Sequence, residues 1–269
     1  MVGRGWWGSV VVGNRQRTLE QSSAPCRPWG RATRTGQRWP GASHDDRHTR
    51  ATLTHPVPTM ITLYDCATAP SPRRARILLA EKGVPHDTVN INLGRGEQMG
   101  EAYRDVNPGC TVPALRLEDG SLLTDNAGIA AYVEARWPEP ALLGRSPLDQ
   151  ARIASWNWRV EFEGLMAIAE ALRNSTPAMA GRALPGPVGY PQIAELAQRG
   201  LQRVQHFLVM LNTALADRET VAEPGFSIAD ITAGGAVDFA RVVRIKPGEQ
   251  HPHLLRWRAA MALRPAMAL

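Results

Sequence analysis

Two short polar segments, each directly before a predicted helix, hold the side chains most able to do chemistry. In the first, Ser71 precedes Pro72, and Thr68 lies just upstream. In the second, Asp125 and Asn126 open an apolar, helix-like stretch. Serine, aspartate and asparagine are all favoured as helix N-caps, which is the structural interpretation of both segments. Such groups can also bind charged ligands, because the helix N-terminus favours negative charge and a carboxylate binds cations.

The cysteines and histidines predict neither a disulfide framework nor a metal site. Cys26, Cys66 and Cys110 are odd in number and widely spaced, which favours a reducing, cytoplasmic setting. Cys66 ends the first predicted strand, where it could react with a thiol or simply fill the core. His251 and His253 have no third ligand nearby, so we expect a surface loop and no metal.

Apolar runs and turn residues predict the elements that must position these groups. From residue 60 the order is βαβ(α)ββα over about 80 residues, an α/β unit that ends in a hairpin and a helix. We expect Ser71 to cap the first helix, with Pro72 at its first position and Gly83 at its end. From about residue 147 the pattern is helical, apart from a Gly- and Pro-rich loop near residues 177–191. The predicted strands are 61–65, 89–91, 114–117 and 121–124, followed by a helix at 127–137.

The net charge of the chain comes entirely from its first 59 residues. The whole chain has 31 basic and 25 acidic residues, a net charge of +6. Residues 1–59 hold nine arginines and three acidic residues, which leaves residues 60–269 balanced. We therefore expect no nucleic-acid binding by residues 60–269, and no apolar run is long enough to span a membrane. We interpret residues 1–59 as a disordered extension, a transit peptide, or sequence upstream of a native start at Met60.

This organisation resembles the cytosolic glutathione transferase family over residues 60–269. The resemblance implies a thioredoxin-like, glutathione-binding domain at residues 60–141. An all-helical substrate domain would follow at residues 147–269. The motifs that carry it are the Asn-Pro-Gly-Cys-Thr-Val-Pro loop at residues 107–113, the Thr-Asp-Asn-Ala-Gly-Ile segment at residues 124–129, and a capping box formed by Ser227 and Asp230.

The resemblance further implies a glutathione-binding role for four residues. In the family, the proline that matches Pro113 follows a cis peptide bond. This would leave the backbone of Val112 free to pair with the cysteinyl unit of glutathione, as an added strand does. Asp125 would bind the γ-glutamyl ammonium, and Asn126 with the amides of its helix would hold the glutamyl carboxylate.

Ser71 is the residue that we expect to stabilise the glutathione thiolate. Family members that use serine or cysteine place it five residues before the arginine that matches Arg74. Here that position is Ala69, which has no side-chain donor. Thr68 and backbone amides at the start of the helix are the alternatives to Ser71. Arg73 is expected on the helix surface or within reach of the glycyl carboxylate.

The function implied by the resemblance is that of a glutathione transferase, acting as a homodimer. Its glutathione thiolate would attack a small electrophile or reduce a disulfide or peroxide. Candidate walls of the substrate pocket are Trp156, Arg159, Val160 and the loop at residues 177–190. The alternative, favoured by the missing donor at Ala69, is a non-catalytic protein of the same fold that binds glutathione or protein partners.

Overall fold

The computed structural model describes residues 60–269. The interpretations of residues 1–59 lie outside the described residues. Within residues 60–269, no helix is both long and apolar enough to cross a membrane.

A four-stranded mixed sheet forms the first half of the described chain. The strands lie in the order β2-β1-β3-β4, with β1 parallel to β2 and antiparallel to β3, and β3 antiparallel to β4. Helix α1 connects the parallel pair, as a parallel crossover requires. This arrangement confirms the predicted βαβ(α)ββα order. The elements are β1 (Thr62–Asp65), α1 (Pro70–Glu81), β2 (Asp87–Asn90), α2 (Glu101–Arg104), β3 (Ala114–Arg116), β4 (Leu122–Leu123) and α3 (Asn126–Arg136).

Helix α1 starts earlier than the sequence pattern predicts. Ala69 takes the N-cap position with an extended backbone, and Pro70 is the first helical residue. Proline is tolerated throughout the first turn, because the N–H groups there have no partner within the helix. Ser71 is therefore the second residue of the helix, and the prediction that it is the N-cap is wrong. At the other end Gly83 adopts the left-handed conformation (φ 61°) that commonly follows a helix.

The second half of the described chain is helical, as predicted. Helix α5 packs against α6, and α4 packs against α7. A side-chain carbon at Gly200 of α6 would lie 2.6 Å from the backbone nitrogen of Ala171 in α5, so this close approach requires glycine. The elements are α4 (Pro147–Val160), a π-helical turn (Glu161–Leu165), α5 (Met166–Ser175), α6 (Ala194–Ala214), α7 (Ile228–Phe239) and α8 (Pro252–Ala262).

One hydrophobic core runs through both halves. It includes Leu63 of β1 and Ile77 of α1, and also Ile168 of α5 and Phe207 of α6. Helix α1 contacts both α3 and α7, so both halves of the described chain determine where its N-terminus lies. The division into domains at residues 141–147 stays a prediction.

Candidate functional site

Asn126 joins the starts of α1 and α3. Its side-chain Nδ2 donates to the backbone carbonyl of Ser71 (3.1 Å) and to Ser71 Oγ (2.9 Å). A carbonyl oxygen can only accept, so the NH₂ group of the amide must face Ser71, which determines the orientation of the Asn126 side chain. The two polar segments, at the starts of α1 and α3, are therefore in direct contact.

Arg74 and Glu161 extend this contact into the helical half. Arg74 Nη2 donates to Ser71 Oγ (3.3 Å), and Arg74 Nη1 pairs with Glu161 Oε1 (2.9 Å). The Arg74 side chain is buried, with 7% of its surface exposed. Sequence reasoning missed this arrangement. The only local signal is that Arg74 lies three residues after Ser71, on the same face of a helix.

The loop at residues 107–113 is held in shape from within. The peptide bond between Val112 and Pro113 is cis, as the resemblance implies. The hydroxyl of Tyr103 donates to the carbonyl of Thr111 (2.7 Å), and Asn107 Nδ2 donates to the same carbonyl (2.8 Å). Burial raises the pKa of Tyr103 to about 12, so the hydroxyl keeps the proton that it donates.

The backbone of Val112 is free to bind an extended peptide. Val112 is half-buried, and neither its N–H nor its C=O forms a hydrogen bond within residues 60–269. Strand β3 begins only at Ala114. An extended backbone segment whose N–H and C=O groups are unpaired can pair with an extended peptide, as one strand pairs with another.

Asp125 occupies the N-cap position of α3 without capping it. Its backbone is extended (φ −118°, ψ 147°), but its carboxylate accepts no capping hydrogen bond and is exposed. The carboxylate is therefore accessible to a cationic ligand. Asn126, in contrast, uses both of its amide protons on Ser71. The backbone N–H groups of the first turn of α3, rather than the Asn126 side chain, are left for a ligand carboxylate.

The three predicted residues of the substrate pocket do not share one surface. Val160 is fully buried in the core, so the prediction that it lines a pocket is wrong. The reason is helical geometry, because neighbouring residues on a helix point in different directions. The ring of Trp156 is contacted by the guanidinium groups of Arg159 and Arg218, which lie 4.9 and 5.3 Å from its centroid. Arg159 also borders a cavity of about 190 Å³ that Ser71 does not line.

The loop at residues 177–191 approaches the loop at residues 107–113. A side-chain carbon at Gly186 would lie 3.7 Å from the carbonyl oxygen of Gly109. Leu184, Val188 and Tyr190 on this loop are exposed apolar or aromatic side chains. The loop therefore places apolar surface near the cis-proline loop.

Comparisons with known proteins agree with this arrangement. Residues 68–136 match the family model of the glutathione S-transferase N-terminal domain, and residues 176–265 match that of the C-terminal domain. The chain is 33% identical over 208 residues to glutathione S-transferase 2 of Saccharomyces cerevisiae. That alignment covers 76% of this chain and 87% of the yeast protein.

Two crystal structures resemble the fold over most of their length. Gtt2 from Saccharomyces cerevisiae has a TM-score of 0.70 and 33% identity, covering 77% of this chain and 98% of that chain. A glutathione S-transferase domain-containing protein from Marinobacter aquaeolei has a TM-score of 0.69 and 33% identity, covering 77% of this chain and 99% of that chain. These likenesses confirm a thioredoxin-like domain followed by an all-helical domain. The chain thus belongs to the glutathione S-transferase family of enzymes.

Proposed function

We propose that this protein binds glutathione and activates its thiol at Ser71. The thiolate then attacks a small electrophile, or reduces a disulfide or peroxide. The observation that carries the proposal is the contact between Asn126 and Ser71. It brings the starts of α1 and α3 together, so that a hydroxyl with no capping role and an exposed carboxylate belong to one connected site.

Thiol activation is the chemical problem that the site has to solve. A free thiol of this kind has a pKa of about 8.5, so little of it is ionised at neutral pH. A hydrogen bond from the Ser71 hydroxyl and the N-terminal dipole of α1 would both favour the thiolate. In the conjugation reaction the sulfur lone pair forms a C–S bond, and the leaving group departs with its electron pair. The thiol proton has already passed to solvent.

Three backbone and side-chain groups would hold the tripeptide. The N–H and C=O of Val112 would pair with the cysteinyl unit, next to Pro113. The exposed Asp125 carboxylate would bind the γ-glutamyl ammonium. The N–H groups in the first turn of α3 would bind the glutamyl carboxylate. Arg73 is bound to Asp238 and to the carbonyl of Met267 instead, so the proposal gives it no contact with glutathione.

The electrophile would bind beside the loop at residues 177–191, and Trp156 and Arg159 remain further candidate contacts. The exposed Leu184, Val188 and Tyr190 favour an apolar substrate. Cys66 and Cys110 are both free and buried, in agreement with a reducing, cytoplasmic setting.

A homodimer is part of the proposal. Trp158 and Phe162 are exposed and stack with ring centroids 5.6 Å apart, and the exposed Met166 continues the same helical row. An exposed apolar row of this kind favours association with a second copy. Sedimentation of a Trp158→Asp variant checks this, and an unchanged dimer would place the interface elsewhere.

The test of the proposed function separates binding from turnover. We expect the protein to be retained on immobilised glutathione and to conjugate glutathione to an activated aryl chloride. S-methylglutathione is the matched control, because it should compete for binding and form no product. Binding without turnover, with disulfide and peroxide substrates also inert, would favour the non-catalytic alternative. Absence of binding would contradict both.

A further inference from the structure

The Ser71 hydroxyl already receives as many hydrogen bonds as it can accept. A serine Oγ has two lone pairs and one proton. Here it accepts from Asn126 Nδ2 (2.9 Å) and from Arg74 Nη2 (3.3 Å). No group within residues 60–269 accepts a hydrogen bond from it. The hydroxyl proton is therefore the one part of this group left for a ligand.

The direction of both hydrogen bonds is set by chemistry. A guanidinium has only donors, so Arg74 cannot accept from Ser71. The NH₂ of Asn126 must face Ser71, because it also meets the Ser71 carbonyl, which can only accept. Neither neighbour can take the hydroxyl proton.

Arg74 is held in this position from the helical half. Its Nη1 pairs with Glu161, the first residue of the π-helical turn between α4 and α5. Such turns within α-helices often occur at functional sites. An ion pair with Glu161 alone needs one donor, which a lysine would supply. The planar fork of arginine adds a second nitrogen, and that nitrogen is the one that contacts Ser71.

We propose that Arg74, oriented by Glu161, is a positioning residue that directs the Ser71 hydroxyl proton toward the sulfur of bound glutathione. Arg74 and Asn126 occupy the two acceptor sites of Oγ, and the positive charge of Arg74 makes the hydroxyl a stronger donor. The inference rests on the proposed function, since it concerns the same hydroxyl. It adds Arg74 and Glu161 as the residues on which that donor depends.

Arg73 provides a matched control. It neighbours Arg74 on α1 and also forms an ion pair with the helical half, through Asp238 (2.9 Å). Its partly buried guanidinium contacts Asp238 and the Met267 carbonyl, and makes no hydrogen bond to Ser71. If ion pairs between α1 and the helical half were all that mattered, Arg73→Gln and Arg74→Gln would behave alike.

The experiment follows the ionisation of bound glutathione by the ultraviolet absorbance of the thiolate, together with the pH profile of kcat/KM. We expect Arg74→Gln to raise the pKa of the bound thiol by about one unit, which is tenfold in the ionised fraction. At pH values below the wild-type thiol pKa, the variant should lose about tenfold in kcat/KM. At pH values above the raised pKa of the variant the loss should vanish, because the thiol is then ionised in both proteins. Arg73→Gln should leave the profile unchanged. Arg74→Lys, which keeps the ion pair with Glu161, should raise the pKa in the same direction and guards against misfolding of the first variant.

A double-mutant cycle shows whether Arg74 acts through Ser71. In a Ser71→Ala background, we expect Arg74→Gln to cause less than about a third of its original shift. A full shift in that background would mean that Arg74 acts on the sulfur directly, which overturns the inference. An unchanged thiol pKa in both Arg74 variants also overturns it, while leaving the proposed function intact. A wild-type protein with no thiolate absorbance at any pH would overturn thiol activation itself, and the inference with it.

Discussion

Two helices of this protein begin near a serine that the sequence marks as an N-cap, and the two serines do different things. Ser227 is the N-cap of α7 and forms a capping box with Asp230. Ser71 lies within the first turn of α1, where Ala69 takes the N-cap position. Ser227 is almost fully buried (1% exposed), whereas Ser71 is only partly buried. One serine holds a helix in place, and the hydroxyl of the other is available for chemistry.

Their acidic partners differ in the same way. Asp230 is fully buried and accepts hydrogen bonds from the backbone N–H of Val221 (2.8 Å) and from Trp257 Nε1 (3.0 Å). Burial raises the pKa of the Asp230 carboxyl, and these hydrogen bonds oppose the rise. Asp125 has the N-cap position of α3 but makes no capping bond and is exposed. A carboxylate that accepts its hydrogen bonds from buried groups of the protein stabilises the fold. A carboxylate that is exposed and accepts no such bonds can bind a ligand.

The largest effect that tests this contrast is expected for Asp230→Ala. The substitution leaves the Val221 amide and the Trp257 indole buried without acceptors, at about 1–3 kcal/mol each. We expect a loss of at least about 3 kcal/mol in the free energy of unfolding, measured in urea. Asp125→Ala is the control and should change that free energy by less than about 0.5 kcal/mol. Equal losses in the two variants would remove the contrast.

The next largest effect is expected for Ser71→Ala. Loss of a hydrogen bond to a charged sulfur should lower kcat/KM for conjugation by about 10- to 100-fold, since such bonds contribute about 1.5–3 kcal/mol. The free energy of unfolding should fall by less than about 1 kcal/mol, because Ser71 caps nothing and its two donors keep other acceptors, Asn126 the Ser71 carbonyl and Arg74 the Glu161 carboxylate. A large loss of stability with unchanged kcat/KM would show that Ser71 is structural after all.

Asp125→Asn should act on binding rather than on chemistry. Removing the carboxylate weakens a charge-assisted bond to the γ-glutamyl ammonium, so we expect the KM for glutathione to rise about tenfold. Turnover at saturating glutathione should stay the same, because the carboxylate does not touch the sulfur. A fall in kcat with unchanged KM would contradict the binding role. Initial rates over a range of glutathione concentrations decide between these outcomes.

The smallest effect is expected for Ser227→Ala. Loss of an N-cap hydroxyl should cost about 1 kcal/mol of unfolding free energy. The kcat/KM of the folded protein should match that of the wild type, and Ser227→Thr, which keeps the hydroxyl, should recover most of the stability. Altered thiol ionisation in Ser227→Ala would mean that α7 also influences the site.

Much of the fold could be predicted from the sequence, because the signals for its elements are local. Each of two motifs, the loop at residues 107–113 and the capping box of Ser227 and Asp230, is formed by residues that are close together in the chain. The order of strands and helices along the chain also followed from apolar runs and turn residues. The site was only partly predictable. The prediction that Val160 lines the substrate pocket was wrong. The periodicity of a sequence predicts a helix, but it does not show which neighbouring element each face of that helix contacts.

The sequence by itself determined the order of elements, the family and the polar segments where chemistry belongs. These follow from backbone preferences and side-chain patterns that act over about four residues of chain. Only the tertiary structure decided what those side chains do. The hydrogen bond from Asn126 to Ser71 joins two residues that are 55 positions apart in the chain, and the one from Arg74 to Glu161 joins two that are 87 positions apart. A hydrogen bond depends on where packing brings two groups together, and that packing is a property of the whole core.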